Sequence, residues 1–169
     1  MPEQHESIPA IEDAVMPGTP RFVIEAYRTL AERAKEREFG LIEEDVVILD
    51  TETTGLSPQE NELIEISAAV LSGREITDRF DTFVHPTTLI PTEITELTGI
   101  TNADVAHAPD ARTAVAQLAE FVGGRPVVAH NATFDRTFIE SVKGGVDVSS
   151  IWIDSLALSR IALPRLASH

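Results

Sequence analysis

Two carboxylates follow directly on a run of four apolar residues in this 169-residue chain, in the segment VVILDTETTG. Residues 46–49 are typical of a buried strand, and Asp50 and Glu52 come next. In extended backbone, residues two apart project to the same face, so both carboxylates point together while Thr51 points away. Like charges this close either share a proton or surround a cation, and oxygen ligands suit Mg²⁺ or Mn²⁺. We interpret the pair as part of a divalent-cation site.

A third carboxylate follows a later strand. Residues 126–129 predict a short strand that ends at His130, and Asp135 comes just beyond it. If this strand lies beside the first and parallel to it, the carboxyl ends of both strands share one rim of the sheet, where ligands bind in such folds. The sequence therefore predicts Asp50, Glu52 and Asp135 as ligands of the cation.

The elements that position these residues are short strands and helices from residue 41 onward. Strands are predicted over residues 63–71 and 76–84, joined by a hairpin turn at 72–75, with further strands over 126–129 and 151–153. Helices are predicted over residues 92–98, 110–122 and 134–142, and from Ser155. An antiparallel meander followed by alternating helices and strands predicts an α/β fold, a mixed sheet with parallel strands and flanking helices.

Composition limits the classes of function. A hydrophobic content of 43% suits one domain with a core, and the absence of cysteine excludes a disulfide framework and a thiolate metal site. A formal charge of −15 argues against a broad basic surface that binds phosphate backbones. No apolar run reaches membrane-spanning length and the N-terminus lacks a signal-peptide pattern, so we expect a cytoplasmic protein.

The first 40 residues differ from the rest. Residues 1–18 are acidic and contain three prolines, which predicts a flexible lead-in. Residues 19–40 predict an amphipathic helix that begins with a threonine N-cap and a first-turn proline. Its apolar stripe either packs on its own domain or docks a partner. Residues 41–169 form the remaining domain.

Two motifs of this domain resemble a known family. LDTETTGL followed by VVAHNATFDRTFI is similar to the first and second motifs of the DEDD-type, DnaQ-like 3′-5′ exonucleases. With FDTFVHP and IPTEITELTGITNADV between them, residues 45–169 resemble the proofreading domains of bacterial DNA polymerase III, of the epsilon-subunit and PolC types. The resemblance implies a ribonuclease H-like fold in which Asp50 bridges two metal ions, Glu52 holds one and Asp135 supports the second.

The function implied is hydrolysis of phosphodiester bonds at nucleic-acid 3′ ends, in DNA proofreading or repair. Two Mg²⁺ or Mn²⁺ ions would activate the water, neutralise the phosphate oxygens and stabilise the leaving 3′ oxygen. Because the cations carry the positive charge, an acidic protein can still process nucleic acid. The expected substrate is a single-stranded DNA 3′ end, with RNA as the alternative. A polymerase or a second copy of the chain could bind through the N-terminal helix or an exposed sheet face.

Several residues near the rim could bind substrate. Gly55 either lets a backbone approach closely or serves a plain turn. We expect His130 to satisfy backbone groups, Phe134 and Phe138, four apart on a helix, to pack in the core, and Asp154 to cap the last helix. The candidate substrate-binding residues are Thr53, Thr54, Gly55, Leu56, His130, Asn131 and Phe134.

Two other enzyme or metal-site classes fit poorly. A haloacid-dehalogenase-type phosphatase has a D-x-D-x-T pattern but needs a downstream lysine and acid pair, and no adjacent acid pair follows Lys143. In an EF-hand calcium loop, the twelfth position would fall on Asn61 instead of a glutamate.

A non-catalytic or partner-dependent fragment remains open. The "h" group of the family has a third motif, a histidine followed five residues later by an aspartate, beyond the segment matched by LPRLASH. We expect the domain to be incomplete at its C-terminus and the chain to be a poor nuclease alone, because it would lack a general base and a fourth carboxylate.

Overall fold

The structure is a computed structural model that describes residues 45–162 and five earlier residues, Arg21, Ile24, Glu25, Arg28 and Thr29. Those five residues are helical, and the Thr29 hydroxyl donates to the Glu25 carbonyl oxygen at 3.0 Å. The predicted lead-in over residues 1–18 and most of the predicted helix over residues 19–40 lie outside the described residues. Both therefore stay predictions.

Ten elements make up residues 45–162. The strands are β1 (Val46–Thr53), β2 (Leu63–Ser72), β3 (Glu75–Phe83), β4 (Val127–Ala129) and β5 (Trp152–Asp154). The helices are α1 (Thr92–Thr98), α2 (Asn102–Val105), α3 (Ala111–Val122), α4 (Ala132–Ser141) and α5 (Ser155–Ala162). Every strand and helix predicted within this range is present, and α2 was not predicted.

The five strands form one mixed sheet in the order β3-β2-β1-β4-β5. β1 pairs antiparallel with β2 and parallel with β4, with Val47 opposite Val127. β2 pairs antiparallel with β3, and β4 pairs parallel with β5. The predicted mixed sheet is confirmed, and so is the parallel pairing that brings the carboxyl ends of β1 and β4 to one rim.

The two faces of the sheet differ. On one face, Val47 and Leu49 of β1 pack in the main core with Leu118 of α3 and Phe138 of α4. The residues of β1 that alternate with Val47 and Leu49 lie on the opposite face, where Ile48 is 41% exposed. This second face, which we call the open face, also carries Asp50 and Glu52.

The unpredicted helix α2 is formed by its cap. The Thr101 hydroxyl accepts from the Asp104 backbone N–H, and the Asp104 carboxylate accepts from the Thr101 N–H at 2.8 Å. This reciprocal arrangement satisfies two backbone donors at once, and the spacing of Thr101 and Asp104 is its sequence signal. Val105 at the end of α2 completes a small second core with Ile64 and Ile100.

No helix in the described part of the chain is long and apolar enough to cross a membrane.

Candidate active site

The end of β1 carries the first two predicted carboxylates. Strand pairing continues through them as far as Thr53, which lies opposite Leu63 of β2. Asp50 is exposed and Glu52 is half-buried, while Thr51 between them is buried. The prediction that Thr51 points to the other side of the strand is confirmed. Continued pairing with β2 holds the backbone of both acids in a fixed register.

Asp135 reaches the same region from α4. Asn131 turns the chain with a φ of 62°, and α4 then begins at Ala132 with Asp135 in its first turn. The Asp135 side chain is buried, and its Oδ1 accepts a hydrogen bond from the Thr51 hydroxyl at 2.8 Å. A carboxylate in the first turn is also favoured by the helix dipole. The Thr51 hydroxyl, on the buried side of β1, thus helps to position the Asp135 carboxylate.

The charges at this rim are mutually repulsive. Partial burial raises the pKa of Glu52, and the carboxylates of Asp50, Glu65 and Asp135 raise it further. Burial, opposed by the Thr51 hydrogen bond and assisted by Asp50, raises the pKa of Asp135 to about 6. The neighbouring charges that act on both groups are carboxylates, so a bound cation would stabilise the ionised form of each.

The donor chemistry of the rim fits Mg²⁺ or Mn²⁺, since Asp50, Glu52 and Asp135 offer carboxylate oxygens. Within the described residues, however, no group of three or more His, Asp or Glu side chains is arranged to hold a metal ion. One carboxylate oxygen of Asp135, Oδ1, already accepts a hydrogen bond from the Thr51 hydroxyl. The three-ligand arrangement therefore stays a prediction, although the acids influence one another electrostatically.

The turn after β1 is held by its own side chains. The Thr53 hydroxyl donates to the Gly55 carbonyl at 2.5 Å, and the Thr54 hydroxyl accepts from the Glu62 N–H at 2.9 Å. A Cβ on Gly55 would lie 2.7 Å from the end of the Asn61 side chain, so a larger residue would displace the amide that accepts from the Ser57 N–H. Leu56 at the tip is 85% exposed. Contact of this turn with substrate stays a prediction.

Two of the three candidates after β4, His130 and Phe134, have defined side-chain partners. His130 is exposed, and its Nδ1 lies 3.3 Å from the Ser155 hydroxyl, so its partner is a side chain where we expected a backbone group. The Asn131 side chain makes no capping bond to α4. Phe138 lies in the main core and Phe134 packs against it, which confirms the predicted core packing, and their ring centroids are 4.9 Å apart. A role in substrate binding for His130, Asn131 and Phe134 stays a prediction.

Asp154 caps the last helix, as predicted. Its Oδ1 accepts from the Leu156 N–H at 2.9 Å and from the Asn131 N–H at 3.1 Å, so it also holds the turn that precedes α4.

Replacement of Asp154 by alanine should lower the free energy of unfolding by about 0.5–2 kcal/mol, because the N–H groups of Asn131, Leu156 and Ala157 lose their acceptor. Urea denaturation of Asp154→Ala and Asp154→Asn would measure this. The asparagine variant keeps an oxygen at the cap and should lose less. Equal losses in the two variants would show that capping is not the contribution of Asp154.

Sequence reasoning missed two acids near the rim. Glu65 lies directly opposite Glu52 in the sheet, and its pKa is raised by burial, Asp81 and Asp50. The alternating pattern of β2 already places Glu65 on the polar face, which was the available signal. Glu62 accepts hydrogen bonds from Thr87 and Thr88, which follow it by 25 and 26 positions. Local sequence patterns carry no signal for such a long-range contact.

Residues 47–143 of this chain, more than half of its length, match the exonuclease family RNase_T. The chain belongs to this exonuclease family.

Two of its relatives are PolC-type DNA polymerases III. The chain is 43% identical to that of Caldanaerobacter subterraneus subsp. tengcongensis over 70% of its own length and 34% identical to that of Thermotoga maritima over 97%. These matches span 9% and 13% of the relatives, so the exonuclease domain corresponds to about a tenth of those polymerases.

Solved structures agree with this exonuclease assignment. Exonuclease X in complex with 5′ overhanging duplex DNA superposes with a TM-score of 0.60 at 26% identity, covering 73% of this chain and 68% of that one. Exonuclease I superposes with a TM-score of 0.58 at 15% identity, covering 70% and 30%, and shows the shared fold. The predicted family and the predicted ribonuclease H-like fold are confirmed.

Proposed function

We propose that this exonuclease domain removes nucleotides from the 3′ ends of single-stranded DNA with the help of divalent metal ions, in proofreading or repair. The observation that supports the proposal is the electrostatic coupling of three acids near the end of β1: Asp50 and Asp135 both raise the pKa of Glu52, and Asp50 raises that of Asp135. Asp135 in turn is bonded to Thr51, the residue between Asp50 and Glu52, at 2.8 Å. DNA is favoured over RNA because the relatives are DNA polymerases and an exonuclease solved with DNA.

In this proposal, Asp50, Glu52 and Asp135 would hold two Mg²⁺ or Mn²⁺ ions. When bound, such ions supply an activated water and neutralise charge on the phosphate. The chain positions the ligands: β1 keeps Asp50 and Glu52 on one face, and Thr51 orients Asp135 through its hydroxyl. Leu56 and Phe134, on the segments that flank the acids, would contact the terminal base.

The electrostatics predict that DNA binding depends on metal. The net charge is −15, and burial together with repulsion from neighbouring carboxylates already raises the pKa of Glu52 and of Asp135. A phosphate brought to this rim without cations would meet further repulsion. Loss of affinity on chelation with EDTA would support this electrostatic account.

A direct assay would use 5′-labelled single strands of DNA and RNA with the same sequence. With Mn²⁺ we expect a ladder of DNA products shortened from the 3′ end, slower cleavage of RNA, and no products in EDTA. Asp50→Asn purified in parallel would report contaminating nucleases. Preference for RNA would contradict the substrate, and release of the labelled 5′ nucleotide first would contradict the direction.

The alternative is a domain that binds nucleic acid without cleaving it, or that needs a partner. No three-ligand group is arranged for metal within the described residues, and this observation favours the alternative. Metal-dependent DNA binding by the folded chain without turnover would support it. A polymerase partner and self-association stay predictions.

A further inference from the structure

Glu62 joins two loops that are far apart in sequence. Its carboxylate accepts from the Thr87 hydroxyl at 2.8 Å and from the Thr88 hydroxyl at 3.1 Å. It also accepts from the backbone N–H groups of Thr87, at 3.0 and 3.1 Å, and of Thr88, at 3.2 Å. Partial burial alone would raise the pKa of Glu62, but these hydrogen bonds outweigh it and lower the pKa. The ionised carboxylate is therefore the form that holds the loops together.

Each of these loops presents an exposed leucine on a fixed backbone. Leu56 is 85% exposed, and the next residue, Ser57, donates its N–H to the Asn61 side chain at 3.0 Å. Leu89 is 79% exposed and lies between the Glu62 contacts and Ile90, whose N–H donates to the Asn102 side chain at 2.9 Å. On a mobile loop, an exposed leucine can move to a position less exposed to water. Hydrogen bonds beside Leu56 and Leu89 restrict that movement of their backbones.

This pair of loops lies at the end of β1 that carries the acids. The Thr54 N–H donates to the Glu62 carbonyl at 2.8 Å, and the Glu62 N–H donates to the Thr54 hydroxyl at 2.9 Å. Thr54 is two residues beyond Glu52. Residues 54–62, which follow Glu52 along the chain, and residues 85–90, which bond Glu62, together form what we call the leucine rim.

We propose that Glu62 is a positioning residue that holds the leucine rim as one rigid apolar surface for the unstacked bases at a 3′ end. The inference rests on the proposed function. Every nucleobase has an apolar face, so leucines can pack on bases without reading the sequence. A surface held in place before binding loses little conformational entropy when the bases pack on it. Loss of the Glu62 carboxylate would let the loops move independently and would weaken binding of DNA.

The test compares Glu62→Ala with Glu60→Ala, which removes an exposed carboxylate from the same loop. Hydrogen exchange at the Thr87 and Thr88 amides reports the contacts directly and needs no nuclease activity. The dissociation constant for a phosphorothioate-linked single strand with Mg²⁺ reports binding without turnover. Leu89→Ala tests the apolar surface itself, with Val146→Ala as the control at an exposed site between α4 and β5.

In Glu62→Ala we expect faster exchange at both amides and a dissociation constant about 5- to 30-fold higher. Leu89→Ala should weaken binding in the same direction, and the two controls should match the wild-type chain. With active protein, KM should rise in Glu62→Ala while kcat changes little, because the carboxylate bonds Thr87 and Thr88 instead of the catalytic acids.

Faster amide exchange with unchanged DNA affinity would overturn the role of Glu62 and leave the proposed function standing. Weaker binding by Glu60→Ala to the same extent would also overturn it, since a general charge effect would then explain the change. A wild-type chain that fails to bind any single strand with metal would overturn the proposed function and this inference together.

Discussion

Replacing Asp50 by asparagine should slow nucleotide release by about 10²- to 10⁴-fold, because the proposed metal site loses a charged ligand worth several kcal/mol in the transition state. The substitution keeps the shape of the side chain. Asp50 is exposed on the open face and contributes nothing to the core, so the fold should remain intact. Single-turnover release from a 5′-labelled strand with Mn²⁺ would measure the rate.

The same Asp50→Asn variant tests the metal site separately from catalysis. Isothermal titration should show weaker Mn²⁺ binding than in the wild-type chain, whereas Asp147→Asn, at an exposed position between α4 and β5, should leave binding unchanged. Unchanged Mn²⁺ affinity in Asp50→Asn would mean that the metal site is assigned wrongly. A normal rate of nucleotide release would mean that turnover does not depend on Asp50.

Replacing Asp135 by asparagine should stabilise the chain above pH 6 and also abolish turnover. Burial raises the pKa of Asp135 to about 6 from an ordinary value of 3.8, so the folded protein favours the protonated acid. The stabilising contribution of that form is complete below pH 3.8 and is lost as the pH rises through 6. Asparagine stays neutral and can still accept from Thr51, so it avoids a cost of about 1–3 kcal/mol, allowing for solvent screening.

Urea denaturation at pH 5 and pH 8, in EDTA to exclude metal effects, would measure this. The stability of Asp135→Asn relative to the wild-type chain should rise between the two pH values. Asp147→Asn should show no comparable change. A difference between Asp135→Asn and wild type that is the same at both pH values would refute the buried-charge explanation, and preserved nuclease activity would remove Asp135 from the site.

Regular elements were predictable because their patterns are local. The apolar run of β1 and the helical spacing of α4 are plain in the sequence, yet both elements are longer than predicted. β1 extends to Thr53 because β2 supplies hydrogen-bonding partners for a polar segment. α4 begins at Ala132, two residues early, because Asn131 adopts a positive φ that completes the turn before it. Tertiary pairing and an unusual backbone angle determined those ends.

The carboxylates of the candidate site were predictable from alternation and from the motifs, but their supporting contacts were not. The sequence shows that Thr51 points away from Asp50, and nothing in it shows that the hydroxyl meets Asp135, 84 residues later. The five hydrogen bonds to Glu62 likewise depend on two loops that only the folded chain brings together. Long-range polar contacts have no periodic pattern to reveal them.

The alternation along β1 also protects the protein against misfolding. A shift of β1 by one residue against β2 would exchange the two faces of the strand. Asp50 and Glu52 would then enter the apolar core, and Val47 and Leu49 would leave it. Two buried, unpaired negative charges would cost several kcal/mol each, far more than a slipped strand could recover. Asp50 and Glu52, proposed for catalysis, therefore also raise the free energy of a shifted pairing between β1 and β2. A variant with both acids neutralised should populate such shifted pairings more than the native chain does.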